Sequence, residues 1–314
     1  MYQYIELPSQ AHQERAVIPL HYWSVKNPQA LLYIVHGMSE HTRSYERLAQ
    51  YFTGKNITVM GHDQIGHGAY AKHLKKLGRY EHYEKIPDAL VWDLITGINY
   101  AHQKCPQIPV ILLGNSLGAY VSRLYLKTHS DQVAACFLSA THGHVKSLHL
   151  APILGRILAH HHAQVPNYTL HQQLFSQEHL GQTKLTKVQQ GWYEREKHQD
   201  IDPPLAGFVF SNSGFAMMLK LAMQATEKNW AQGLRPELPL CFMNGESDPM
   251  LFRGLDQKYL TQELQAQQQK CVTFMIFSGR GHELFFYHEP EIVFTEMLAW
   301  LKRQHILPQN SPIF

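Results

Sequence analysis

Short runs of apolar, branched and aromatic residues alternate along the chain with longer stretches in which apolar positions recur every three or four residues. The runs at 31–35, 57–61, 110–113, 133–138, 239–243 and 272–277 read as strands, and the stretches at 40–52, 84–103, 117–129, 253–268 and 289–304 as helices. Such alternation predicts an α/β protein, a mostly parallel sheet with helices on its faces. The runs Leu31-Leu32-Tyr33-Ile34-Val35 and Val110-Ile111-Leu112-Leu113 are apolar at every position. A strand covered by helices on both sides must be, so these two belong at the centre. Two earlier segments, 3–7 and 15–22, read as an antiparallel pair at one edge.

The rhythm breaks between residues 141 and 235, where little resembles a central strand. This predicts a core made of 1–140 and 236–314, with 141–235 inserted as a separate, largely helical unit. Within it Leu150, Ile153, Leu154, Ile157 and Leu158 form one stripe of a helix, expected to pack inward as amphipathic stripes do. The stretch from Phe215, with Met217, Met218 and Met223, suits either a core or an adaptable acyl pocket, because the thioether chain fills both.

Composition removes several function classes. A hydrophobic content of 44% with 17% charged residues excludes a disordered chain. A net charge of +3 with no run of four Lys/Arg leaves no nucleic-acid footprint. Cys105, Cys136, Cys241 and Cys271 lie too far apart for a zinc or redox motif and read as buried thiols. Glu6 and Glu14 interrupt the segment where a signal peptide would be unbroken and apolar, and no eighteen apolar residues run together. A cytoplasmic protein without a membrane span is expected. No nucleotide-binding or zinc-protease motif occurs; His62, Asp63 and His67 and the His160-His161-His162 run contain metal-ligand types, but consecutive histidines on a helix point in different directions and no carboxylate or cysteine lies at ligand spacing from the run, so no cofactor and no metal are expected.

The chemistry gathers at strand ends. Gly114-Asn115-Ser116-Leu117-Gly118 joins a strand to a helix, the setting of a nucleophile elbow. A serine needs a base, and the base a carboxylate that fixes its tautomer. Just after the strand at 239–243 come Glu246 and Asp248, and just after 272–277 comes His282 in a glycine-flanked loop, followed by Glu283. Asp248 is the expected partner of His282, with Glu246 and Glu283 as competing carboxylates. An acyl-transfer oxyanion needs backbone N–H donors from the residue after the nucleophile and from an earlier loop, which nominates Leu117 and Met38. His36 closes a strand and is expected to serve as a structural hydrogen-bonding group.

These motifs together resemble the α/β-hydrolase superfamily, in particular its monoacylglycerol lipase and bacterial lysophospholipase branch, the serine-aminopeptidase-like hydrolases. The resemblance rests on His36-Gly37-Met38-Ser39-Glu40-His41, Arg43 and Tyr45, on Gly61-His62-Asp63-Gln64-Ile65-Gly66-His67-Gly68, on the elbow, and on Asp248 and Gly281-His282. Asp202-Pro203-Pro204-Leu205-Ala206-Gly207-Phe208 resembles a stretch of bacterial members. It implies an α/β-hydrolase fold with a central sheet of about eight strands, and a helical cap over the active site at 141–235. Where the family commonly has histidine before the nucleophile this chain has Asn115, expected to tune activity.

The expected activity is therefore hydrolysis of a small-molecule acyl ester or lipid, such as a monoacylglycerol or lysophospholipid. The same residues would serve an aminopeptidase or amidase, and a catalytically silent hydrolase fold acting as a binding module would show an eroded triad. The segment 141–235 carries nine Lys+Arg against six Asp+Glu and nine of the 22 histidines, so it holds the whole net charge. Histidines gain charge below about pH 6.5, which predicts transient contact of the cap with anionic membrane surfaces in acid.

Overall fold

In a computed structural model, residues 1–10, 14–144, 146–160, 162–175, 205–248, 255–287 and 289–309 are described. Their strands are β1 (Tyr2–Pro8), β2 (Val17–Trp23), β3 (Ala30–Val35), β4 (Ile57–His62), β5 (Val110–Asn115), β6 (Ala135–Ser139), β7 (Leu240–Gly245) and β8 (Val272–Phe277). They form one sheet in the order β1-β2-β4-β3-β5-β6-β7-β8. β1 and β2 pair antiparallel, β2 pairs antiparallel with β4, and the remaining pairs are parallel. The helices are α1 (Glu46–Thr53), α2 (Gly68–His73), α3 (Ile86–Lys104), α4 (Leu117–His129), α5 (Ala151–His160), α6 (Tyr168–Phe175), α7 (Asn212–Ala225), α8 (Leu255–Ala266) and α9 (Glu291–Arg303).

The all-apolar runs are explained by the two helix layers. In β3, Leu31, Tyr33 and Val35 join the core shared with α3, α4 and α7, whereas Leu32 and Ile34 join the core shared with α1 and α9. β5 divides the same way, with Val110 and Leu112 on one side and Ile111 and Leu113 on the other. Sheet order reverses at β3, whose neighbours are β4 and β5. Ligands bind beyond the carboxyl ends of strands at such a switch point, because the following loops part there.

Three expectations are adjusted. The helix expected over 40–52 begins only at Glu46, after a 3-10 turn at Thr42–Tyr45, because Glu40 and His41 are buried in tertiary contacts. Most of the expected stripe faces outward: Ile153, Leu154 and Ile157 are exposed at 57%, 46% and 66%, with Leu150 just before α5 at 42%, while Leu158 is partly buried against the core shared with α3, α4 and α7. α5 instead buries Ala151 and Gly155, and a Cβ on Gly155 would lie 3.6 Å from Ala216, so small residues set a close approach to α7 and leave the large ones outside. Phe215 and Met217 of α7 are buried in the first core, and Ser211 caps that helix by accepting from the Gly214 N–H at 3.2 Å. Residues 202–204 of the Asp-Pro stretch, His161 and residues 253–254 lie outside the described residues.

Three buried imidazoles lie at or just beyond the ends of β3 and β4, His67 directly before α2. His36 Nδ1 donates to the Gly37 carbonyl at 2.8 Å and Nε2 accepts from the Gln64 N–H at 3.0 Å. His67 Nδ1 donates to the Ile65 carbonyl at 3.0 Å and Nε2 accepts from the Ser39 N–H at 3.3 Å. His62 Nδ1 meets the Tyr33 hydroxyl at 2.9 Å. Burial holds all three below the ordinary value of 6.5, His36 well below, His62 at about 3 and His67 at about 4. Between these values and 6.5 the unfolded chain binds protons that the folded chain excludes, so the histidine contribution to stability falls as pH falls through that window. The urea midpoint is expected to drop between about pH 6.5 and about pH 4.5, and His62→Asn to flatten that slope. An equal slope in the variant would contradict this assignment.

Candidate active site

β5 ends at Asn115 and α4 begins at Leu117, leaving Ser116 alone to make the turn. Its backbone adopts φ 50° and ψ −112°, a strained combination for a residue with a Cβ, at a cost of about 1–3 kcal/mol. The Ser116 N–H donates to the Ser139 carbonyl at 2.9 Å, tying the turn to the end of β6. A Cβ on Gly118 would overlap the carbonyl oxygens of Val35 and His36, so glycine there lets the helix start press against the end of β3. Ser116 keeps partial exposure while the residues on either side are buried.

Two further strand ends deliver the partners. Asp248 follows β7 in a turn whose Asp248 N–H donates to the Gly245 carbonyl at 3.0 Å, and the Asn244 side chain donates to Asp248 Oδ2 at 2.9 Å. Asp248 Oδ1 lies 3.0 Å from His282 Nδ1, and His282 Nε2 lies 2.9 Å from Ser116 Oγ. A carboxylate only accepts, so Nδ1 carries the imidazole proton and Nε2 presents its lone pair to the serine hydroxyl. Asp248 and His282 are 3% and 6% exposed, shielding this run from water. Glu246 instead accepts from the Ser278 hydroxyl at 2.8 Å and from the Gly279 N–H at 3.2 Å. Glu283 is buried near Glu40. The structure thus brings together Ser116, Asp248 and His282, and turns Glu246 away.

Met38 and Leu117 sit at neighbouring strand ends, since Val35 pairs with Gly114 in parallel register. Leu117 is the first residue of α4, where an N–H has no intrahelical acceptor. Among the described residues none accepts from the Met38 N–H. Glu40, singled out by the sequence only as part of a motif, emerges as a support for both segments. Its Oε1 accepts from the Gly37 N–H, from the Tyr45 hydroxyl at 2.8 Å and from the Asn115 amide at 3.2 Å. Burial, then the Glu283 charge, raises its carboxyl to about 7 against those three donors. Asn115 therefore points beneath the elbow to Glu40. Spacing alone could not reveal this, because the link spans 75 residues. Among the described residues no group of three His, Cys, Asp or Glu side chains is arranged to hold a metal ion.

Monoglyceride lipase of Rattus norvegicus is 30% identical over 122 residues, covering 38% of this chain and 38% of its own length. The chain thus spans well under half the length of the monoglyceride lipases it matches. A thermostable carboxyl esterase from Bacillus coagulans, solved with glycerol, superposes with a TM-score of 0.80 at 18% identity over 98% of this chain and 99% of its own. A soluble variant of the Saccharomyces cerevisiae monoglyceride lipase, solved with a substrate analog, gives 0.69 at 18% identity over 96% and 94%. At that identity the likeness speaks for the fold, which is that of the α/β-hydrolases. Residues 26–291 match the family described as serine aminopeptidase, S33, and the chain belongs to that family.

Proposed function

We propose that the protein is a serine hydrolase that cleaves carboxylic esters of lipids carrying one acyl chain. The observation that carries this reading is the unbroken hydrogen-bonded run from Asp248 through His282 to a hydroxyl on a strained strand-to-helix turn. Ser116 Oγ attacks the ester carbonyl carbon while His282 Nε2 takes its proton, and Asp248 stabilises the imidazolium. The carbonyl oxygen becomes an oxyanion held by the Met38 and Leu117 N–H groups. Collapse breaks the ester C–O bond, the leaving alcohol receives the proton from His282, and the acyl group remains on Ser116. Water, deprotonated by the same imidazole, then releases the fatty acid.

Monoglyceride lipases among the relatives support a monoacylglycerol substrate. A lysophospholipid presents the same single acyl ester on a glycerol backbone and is the second substrate of this reading. The family's description as serine aminopeptidases favours one alternative, amide cleavage by the same groups. We assign the part of 141–235 that precedes α7 as a cap, α7 itself joining the core, and the outward Ile153, Leu154 and Ile157 support its contact with a lipid surface. Four thiols, none of them in a disulfide, support a reducing, cytoplasmic setting. No helix among the described residues is long and apolar enough to cross a membrane.

A fluorophosphonate probe is expected to label the wild type and not Ser116→Ala. Asp248→Asn is expected to fold normally and lose roughly 10⁴-fold in kcat on monoacylglycerol and p-nitrophenyl esters, because the imidazole is then held in the wrong tautomer. Near-full activity of Asp248→Asn would contradict Asp248 as the acid, and amide turnover exceeding ester turnover would select the alternative. Co-sedimentation with phosphatidylglycerol vesicles should be stronger at about pH 5.5 than at about pH 8, and weaker at both in Ile153→Glu/Ile157→Glu. Equal binding in all four conditions would contradict the surface role of the cap.

A further inference from the structure

Ser39, the residue after Met38, is engaged from two distant parts of the chain. Its N–H donates to His67 Nε2 at 3.3 Å, in the loop between β4 and α2. Its carbonyl accepts from the Gly207 N–H at 2.8 Å, and its hydroxyl donates to the Phe208 carbonyl at 2.7 Å. Gly207 and Phe208 come from the segment between β6 and β7, 169 residues away in the case of Phe208. The Phe208 and Phe210 rings complete the contact, meeting the edge of the His67 imidazole at centroid distances of 5.3 and 5.5 Å. On the other side of Met38, the Gly37 N–H is held by Glu40 and its carbonyl by His36. The Met38 peptide is thus suspended between two anchored residues, one fixed by the core and the other fixed partly by the cap segment.

The backbone of Ser39 reinforces this. Its φ of 58° is left-handed, a conformation that a residue with a Cβ keeps only where its surroundings determine it. Both bonds from 207–208 hold it there. A donor N–H aimed at a developing oxyanion must lie within a narrow range of distance, so a small rotation at Ser39 would move the Met38 N–H out of reach.

We propose that Ser39 is a positioning residue that couples the seating of the cap segment at Gly207 and Phe208 to completion of the oxyanion hole at Met38. This rests on the serine-hydrolase reading and on Met38 as a donor. With the segment seated, Ser39 is locked and the Met38 N–H is aimed. With it lifted, two of the three restraints are gone and the hole lacks one donor, so the acylation step waits for the cap.

The test compares the wild type with Ser39→Ala, which removes the hydroxyl, and Ser39→Gly, which removes it and also relieves the left-handed backbone. Readouts are kcat and KM on p-nitrophenyl butyrate, the Ki of an alkyl trifluoromethyl ketone whose hemiketal oxygen occupies the oxyanion hole, and fluorophosphonate labelling. Both variants are expected to lose roughly 10-fold in kcat and to bind the ketone roughly 10-fold more weakly, with KM changed less than about twofold and Ser116 still labelled. If the Ala variant is too unstable to assay, Gly207→Ala unseats the segment from the cap side. Its φ is +68° and its Cβ would meet nothing within 4 Å, so the substitution strains the turn without a clash, and kcat and Ki should move in the same direction. Unchanged kcat and Ki, a change confined to KM, or full kcat in Ser39→Gly would overturn the coupling. A wild type that neither takes the label nor turns over ester would remove the hydrolase reading and the coupling with it. A labelled, active wild type beside unaltered variants would remove the coupling alone.

Discussion

The approach of Gly118 to the carbonyl oxygens of Val35 and His36 is the contact on which the candidate site depends. It brings the start of α4 against the end of β3, and so puts the Ser116 turn beside the loop that holds Met38. Any side chain at Gly118 would push these two segments apart, and an oxyanion bound between them would lose one donor. Parallel pairing of β5 with β3 on one side and β6 on the other supplies the frame, since all three strands end at the same edge. The neighbouring pair β7 and β8 delivers Asp248 and His282 to that edge in register.

Beneath the contact lies a layer of buried polar groups whose protonation states are set by burial more than by charge pairing. His36, His62 and His67 stay neutral, which leaves a ring nitrogen of His36 and of His67 free to accept from Gln64 and Ser39. Asp63 is the counterweight. It remains ionised well below the usual carboxylate range despite burial, because His21 faces it at 3.2 Å, and it accepts from the Thr42 N–H at 2.9 Å. Glu40 stands between these extremes, its proton affinity raised to about 7 by burial and by Glu283. The floor of the site thus sets neutral imidazoles beside the ionised Asp63 carboxylate, which His21 and the Thr42 N–H hold in place.

The parts of this arrangement legible in the sequence were those encoded locally. Double-sided apolar runs marked β3 and β5 because burial between two layers leaves no polar position. Glycine spacing marked the elbow because the turn admits no bulk. Asp248 and His282 are nominated by their places after late strands, while only distances set Asp248, and not Glu246, beside the imidazole. Glu40 and Ser39 were missed as supports because their partners lie 75 and 169 residues away. The α5 stripe misled for a related reason. Periodicity reports an apolar face but not which face packs, and the small residues Ala151 and Gly155 gave the closer fit to α7.

Formation of an acyl group on one specific serine is the central claim, and it can be observed directly. Acid-quenching the protein within its first turnovers of a monoacylglycerol, followed by peptide mapping by mass spectrometry, is expected to find the fatty acyl mass on the peptide containing Ser116 and on no other. Steady release of fatty acid with no acylated Ser116 peptide at any quench time would contradict the account.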